Sequence, residues 1–307
     1  MVSSPGYVDL QVNGYADVDF NADRLATPDV ARVCARLRDD GVAGILATVV
    51  TADLEAMCRR LGNICRVRDE DRSVREMIWG IHIEGPFLNE QPGFIGAHPV
   101  AHAHPAEVET MKRLLEAAGG LTRLVTLAPE RDAGARVTSL LAGQGIRVAA
   151  GHCDSSLDEL KRGIDAGLSM FTHLGNACPK LITRHDNIIE RVLSLADQLS
   201  VGFIADGVHV PMMALGNYLK CCGLDHAFIV TDAVSGAGLG PGEYNLGDRT
   251  VIVDENWATW AADKSHLVGS AGTMPRSADN LRGALGFDEA QIRRLLVENP
   301  RKLVARS

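Results

Sequence analysis

Met77-Ile78-Trp79-Gly80-Ile81-His82-Ile83 is a short apolar run that stops on a carboxylate, Glu84. Three more runs stop in the same manner. Arg147-Val148-Ala149-Ala150-Gly151 stops on His152, Ser169-Met170-Phe171-Thr172 on His173, and Ala227-Phe228-Ile229-Val230-Thr231 on Asp232. Each of these end residues can bind a metal ion or work beside one. If the four runs are neighbouring parallel strands, all four side chains gather at one mouth of one barrel.

The rest of the chain alternates in the same way. Strands are expected over residues 7–12, 44–50, 77–83, 123–128, 147–151, 169–172, 199–205 and 227–231. Helices are expected between them. The first is opened by Thr27 as N-cap with Pro28 in the first turn, and closed by Gly41. Others are expected over residues 52–65, 105–118, 133–142, 156–166, 187–196 and 211–221. Eight such repeats give a closed (β/α)8 TIM barrel, an α/β fold, as a single domain over residues 1–307. An open doubly wound sheet would place a glycine-rich phosphate turn after its first strand. Asn13-Gly14-Tyr15-Ala16-Asp17 lacks that pattern. Residues 236–268 break the rhythm and read as a small β-rich insertion after strand 8, over the barrel mouth. Helices near residues 277–285 and 288–298 finish the chain.

Composition narrows the function classes. The net charge of -8 argues against nucleic acid as a partner. No apolar run is long enough to span a bilayer, so no membrane partner is expected. Met1-Val2-Ser3-Ser4-Pro5-Gly6 has no basic segment followed by an apolar one and reads as no signal peptide. The 7 cysteines are odd in number and scattered, which suits reduced thiols and a cytoplasmic location. Cys153 and Cys178 flank the candidate site, where burial alone would also explain them.

Glu84, His152 and His173 make a suitable three-ligand set for catalytic zinc, with a fourth position left for water. Asp232 could take a proton from that water and later pass it on. Each residue alone has a plainer reading: a hydrogen-bonding histidine, or an aspartate capping a helix. The coincidence of four strand ends is what favours the metal site. His82 shares the face of Glu84 and reads as a barrel-interior group. His102 and His104 form a His-x-His pair in a polar loop and read as solvated.

Several segments carry a resemblance: Ile81-His82-Ile83-Glu84-Gly85-Pro86-Phe87-Leu88-Asn89, Gly96-Ala97-His98, Leu127-Ala128-Pro129-Glu130, Gly151-His152, Thr172-His173-Leu174-Gly175-Asn176-Ala177, Ile204-Ala205-Asp206-Gly207-Val208-His209 and Val230-Thr231-Asp232-Ala233. In this order they resemble N-acetylglucosamine-6-phosphate deacetylases of the amidohydrolase superfamily. The matches run from Pro5 to Lys302.

The resemblance implies that Glu84, His152 and His173 hold the metal. Asp232 would be the general base and then the acid. His98 would polarise the acetamide carbonyl. Ala97, Asn176 and Ala177 would contact the substrate, and Leu267, Val268 and Gly269 would line its pocket. Arg184 and His209 fall at the family's phosphate-binding positions, groups that can come from a neighbouring subunit, so a homodimer is implied. Many amidohydrolases bind a second metal through His-x-His at the end of strand 1. Here those positions are Gln11 and Asn13, poor zinc ligands, so one divalent ion is expected. Zinc fits the ligands best, with iron or manganese as alternatives.

Members of that family also carry a small β-sandwich built from both termini. Here Ser4-Pro5-Gly6-Tyr7-Val8-Asp9 opens the sequence and Asn299-Pro300-Arg301-Lys302-Leu303 comes just before Ser307, so no separate sandwich is expected. The implied activity is hydrolysis of N-acetylglucosamine 6-phosphate to glucosamine 6-phosphate and acetate. The alternatives are the same hydrolysis on another N-acetyl-hexosamine phosphate or an N-acyl amino acid, or a catalytically silent barrel that binds a sugar phosphate.

Overall fold

The computed structural model describes residues 6–247 and 249–304. The segment read above for a signal peptide lies outside them up to residue 5, as do the first two residues of the Ser4-to-Asp9 motif.

Eight parallel strands follow chain order in one sheet: β1 (Tyr7–Val12), β2 (Val42–Val50), β3 (Ile78–Glu84), β4 (Thr122–Leu127), β5 (Arg147–Ala150), β6 (Leu168–Phe171), β7 (Ser200–Ile204) and β8 (Ala227–Val230). This is the (β/α)8 barrel expected from the alternation.

Both faces of the strands are buried, and their residues sort by parity. Leu10, Leu46, Leu124, Ala149, Met170, Ile204 and Phe228 pack together as one apolar cluster inside the barrel. Their neighbours Ile45, Ala47, Val125, Val148, Ala150, Phe171, Val201, Phe203 and Ile229 belong to a second cluster shared with the helices. Near-continuous apolar runs are what a parallel sheet covered on both faces requires. On β3, Leu46, Thr48 and Val50 of β2 pair with Gly80, His82 and Glu84. Glu84 therefore lies on the interior face. His82 is fully buried one layer below, where its Nε2 pairs with Thr126 Oγ1 at 2.8 Å, and Thr126 Oγ1 with Thr172 Oγ1 at 2.7 Å.

β1 and β8 meet through a side chain and a bridge rather than a ladder. The buried Asp9 carboxylate accepts from Thr231 N at 3.2 Å, Thr231 Oγ1 at 2.5 Å and Gln11 N at 3.2 Å. Val12 and Ala233 form a parallel bridge just above. This seam matters because Gln11, Asn13 and Asp232 all sit beside it.

Residues 236–268 form the expected β-rich insertion. It is an antiparallel sheet of β9 (Gly242–Leu246), β10 (Arg249–Val253) and β11 (Thr259–Ala261). Leu246, Val251 and Val268 pack on Val234, and Ala97 of the β3–β4 loop packs against them, so the insertion lies over the mouth.

Three local expectations need correction. Ala26, not Thr27, is the N-cap of the first helix (Thr27–Asp39), and Thr27 Oγ1 bonds instead to the Glu70 carboxylate. The helix expected from residue 105 starts at Val108, because residues 105–107 remain outside helical conformation. The helix expected over 288–298 is α-helical only over Glu289–Arg293 and continues as a π turn over Arg294–Glu298. A short helix outside the expected set, Arg72–Met77, precedes β3, with the Asp71 carboxylate accepting from Ser73 N and Val74 N.

Burial pushes the Asp9 carboxyl up to about 7, although its bonds from Thr231 and Gln11 oppose the shift. An ordinary unfolded aspartate titrates near about 3.9. The folded state therefore binds this proton more tightly. The stability it contributes is full below about pH 4 and is lost as pH rises toward and through about 7. Asp9→Asn mimics the protonated acid, since its amide can donate to Thr231 Oγ1. Urea unfolding from pH 5 to 8 should show a shallower pH dependence for Asp9→Asn than for the parent. Asp9→Ala should lose about 1–3 kcal/mol at pH 5, since it orphans the Thr231 donors.

Candidate active site

Glu84 is the last residue of β3. His152 and His173 follow β5 and β6, and Asp232 follows β8. By strict alternation His152 would face outward with Val148 and Ala150, and His173 with Phe171. The backbone re-aims them: His152 has φ 51°, His173 φ 32° and Asp232 φ 53°, all left-handed values that non-glycine residues seldom adopt. Such residues cost roughly 1–3 kcal/mol each and concentrate at functional sites.

The side chains converge on one carboxylate. Glu84 Oε1 lies 3.1 Å from His173 Nε2 and 3.3 Å from His152 Nε2, and Oε2 lies 3.7 Å from His98 Nε2. Gln11 Nε2 donates to Glu84 Oε1 and to Asp232 Oδ1, both at 3.0 Å. Asn13 Nδ2 donates to Asp232 Oδ1 at 2.8 Å. Glu84 and the three histidines are at most 8% exposed.

This cluster fits a divalent cation. His152 Nδ1 lies 3.0 Å from the carbonyl oxygen of Phe94, which can only accept. Nδ1 therefore carries a proton, and Nε2 is the ring nitrogen turned to the Glu84 carboxylate. A buried carboxylate this close to ring nitrogens calls for positive charge, which a cation held between them would supply. Glu84, His98 and His152 can place ligand atoms all within 4.8 Å of one another, and His173 approaches through the same Glu84 oxygen. One carboxylate and two or three imidazoles suit a transition-metal dication.

The charges in the cluster are interdependent. Burial raises the Glu84 carboxyl, but the bonds from His152 and His173 and their charge outweigh it and hold it well below the usual range. Burial and the charge of His152 keep His98 well below the ordinary histidine value. Asp232 is pushed up to about 6, first by desolvation and then by the neighbouring Glu84 charge. That brings the Asp232 carboxyl closer to neutral pH than an ordinary aspartate.

A cavity of about 590 Å³ opens above this floor. Ala97, Asn176, Ala177, His209, Leu267 and Gly269 line it, as the sequence reading expected. Two expected residues do not. Val268 is buried, packed with Val234, Leu246 and Val251, and Arg184 is exposed in the stretch 180–186, away from the lining. His209 is held by Asp206, whose Oδ2 lies 2.7 Å from Nδ1 and whose Oδ1 accepts from Val208 N and His209 N, both at 2.9 Å.

No protein-family model matches the chain. Among curated proteins, it is 32% identical over 294 residues to N-acetylglucosamine-6-phosphate deacetylase of Bos taurus, covering 93% of this chain and 70% of the relative. The chain belongs to the N-acetylglucosamine-6-phosphate deacetylase family. N-acetylgalactosamine-6-phosphate deacetylase of a Shewanella species is 32% identical over 250 residues, covering 80% of this chain and 60% of the relative. A solved variant of the Mycobacterium smegmatis N-acetyl-D-glucosamine-6-phosphate deacetylase, in complex with N-acetyl-D-glucosamine-6-phosphate, superposes with a TM-score of 0.87 at 27% identity, covering 98% of this chain and 77% of that one.

In this deacetylase-family chain, Gln11 and Asn13 do more than stand where histidines are missing. The Gln11 amide joins Glu84 to Asp232 across the β1–β8 seam, and the Asn13 amide donates to Asp232 alone. In the sequence they show only as amides at the histidine positions, and the register shift between Asp9 and Val12 of β1 decides where they reach. Arg249 gave no such signal; it donates from the insertion to the Ala97 carbonyl and ties the insertion to the loop of His98. Groups that orient metal ligands are typically worth ten- to a hundredfold in metal affinity. Gln11→Leu should weaken divalent-metal binding by about that factor in chelator competition, with the unfolding midpoint of the metal-free protein little changed.

Proposed function

We propose that the chain is a divalent-metal-dependent deacetylase that hydrolyses N-acetyl-D-glucosamine 6-phosphate to D-glucosamine 6-phosphate and acetate. The observation that carries this reading is the Glu84-centred histidine cluster with Asp232 beside it, opening onto a cavity in a chain of this family. Glu84, His152 and His173 would hold one metal ion. Zinc suits the donors best, and iron or manganese fit the same set. When bound, such an ion supplies Lewis acidity, polarising a carbonyl and lowering the pKa of water.

The chain's own residues do the rest. Asp232, anchored by Gln11 and Asn13, accepts a proton from the attacking water as the new C–O bond forms. It returns that proton to the amide nitrogen as the C–N bond breaks, so acetate leaves one side and the amine the other. His98, buried against the His152 ring with centroids 4.4 Å apart, stabilises the oxygen that gains negative charge. Its place in a loop, and its 3.7 Å distance to the other Glu84 oxygen, support this role over that of a fourth ligand.

His209 and Arg184 select the phosphate, Arg184 reaching it from the partner subunit of a homodimer. The exposure of Arg184 in one chain supports that arrangement. The proposal takes residues 1–307 as one catalytic domain working in the cytoplasm. Neither nucleic acid nor membrane enters it: the net charge is -8, and no helix of the described residues is long and apolar enough to cross a membrane. A second reading, the 4-epimeric N-acetylgalactosamine 6-phosphate, is favoured by the Shewanella relative. The two substrates should be compared by kcat/KM.

Asp232→Asn should retain metal and lose acetate release by about a thousandfold or more. Retained turnover in a verified Asp232→Asn preparation contradicts its role. His173→Ala should lose the metal, whereas His98→Ala should keep it and lose about a hundredfold or more in kcat. The reverse pattern would exchange the two histidines. Arg184→Met should raise KM for the phosphorylated sugar about tenfold or more, with kcat little changed.

A further inference from the structure

The cavity has a polarity that the assigned groups do not account for. Its carboxylates, Glu84 and Asp232, both belong to the metal floor. Its outer wall carries no acid among the described residues. It carries Lys180, at the end of a stretch that leaves the metal site directly: Asn176, Ala177, Cys178, Pro179 and Lys180 are consecutive and all line the cavity.

Lys180 differs from the other cations nearby. Arg249 also lines the cavity, but its guanidinium donates to the Ala97 carbonyl. Arg184, only four residues beyond Lys180, lies outside the lining. Lys180 has no hydrogen-bond or ion-pair partner among the described residues. Its backbone is placed by a tight contact. Gly93, at φ +92°, packs so closely on Pro179 that an added Cβ would lie 2.8 Å from the Pro179 nitrogen and Cα. The segment before Lys180 is thus pinned to the loop that carries His98.

We propose that Lys180 is a specificity-determining residue that binds the substrate phosphate from within the same chain. The inference rests on the phosphorylated-sugar reading above. An ammonium offers three donors on a flexible stem and suits a phosphate as a point charge. Glu84, Asp232 and Lys180 line one cavity of about 590 Å³, so a sugar with its acetamide at the two carboxylates would present its phosphate to the wall that carries Lys180. Positive charge there also steers an anion inward, an effect that salt weakens.

The test is steady-state kinetics of the metal-loaded protein on N-acetylglucosamine 6-phosphate and on unphosphorylated N-acetylglucosamine. Lys180→Met should raise KM for the phosphorylated sugar about tenfold, with kcat within about twofold and the unphosphorylated sugar unaffected. Lys180→Arg should recover most of the loss, and the gap between parent and Lys180→Met should narrow at high salt. An unchanged KM in Lys180→Met, while the parent still prefers the phosphorylated sugar, overturns the proposal. So does an equal loss on both sugars, which marks a structural role. A parent protein with no preference between the sugars overturns the phosphate reading itself, and this inference with it.

Discussion

A buried carboxylate ringed by imidazole nitrogens needs compensating positive charge, and the architecture around Glu84 is organised by that constraint. Two of the rings meet one oxygen of Glu84, and a third meets the other. The Phe94 carbonyl fixes the proton of His152 on the far nitrogen, which turns the near one toward the carboxylate. Gln11 supplies a neutral donor to the same oxygen and to Asp232, so the two buried carboxylates share one amide. A dication held there would supply the compensating charge.

The barrel supplies this cluster at the cost of local strain. His152 and His173 leave their strands on the outward parity and are brought inward only by left-handed backbone. That conformation is unfavourable for a residue with a Cβ and persists because both faces of the strands are buried and fix the ends. The seam between β1 and β8 serves the same purpose. Asp9 and the Val12–Ala233 bridge hold the two edges together where Gln11 and Asn13 must reach Asp232.

Much of this was legible in the residues. The eight apolar runs and their end groups placed Glu84, His152, His173 and Asp232 at one mouth, and each strand lies within a few residues of its expected place. Parity alone, however, would have turned both histidines outward, because a left-handed residue leaves no mark in the sequence. Gln11 and Asn13 were legible only as absent histidines, since an amide's partners depend on which carboxylates the closed barrel brings near. Thr27 looked like an N-cap, yet the Glu70 carboxylate, distant in sequence, competes for its hydroxyl. Val268 looked like pocket lining, but the packing of the insertion buries it. Lys180 stood out only once the fold separated it from Arg184.

The central claim is that Glu84 and its histidines hold a metal on which amide hydrolysis depends. The most direct measurement is elemental analysis of the purified protein coupled to acetate release from N-acetylglucosamine 6-phosphate, before and after chelation and after zinc is restored. The account predicts about one divalent ion per chain, activity that falls with the metal, and recovery on zinc addition. Full turnover by metal-free protein, or none after zinc occupies the site, would contradict it.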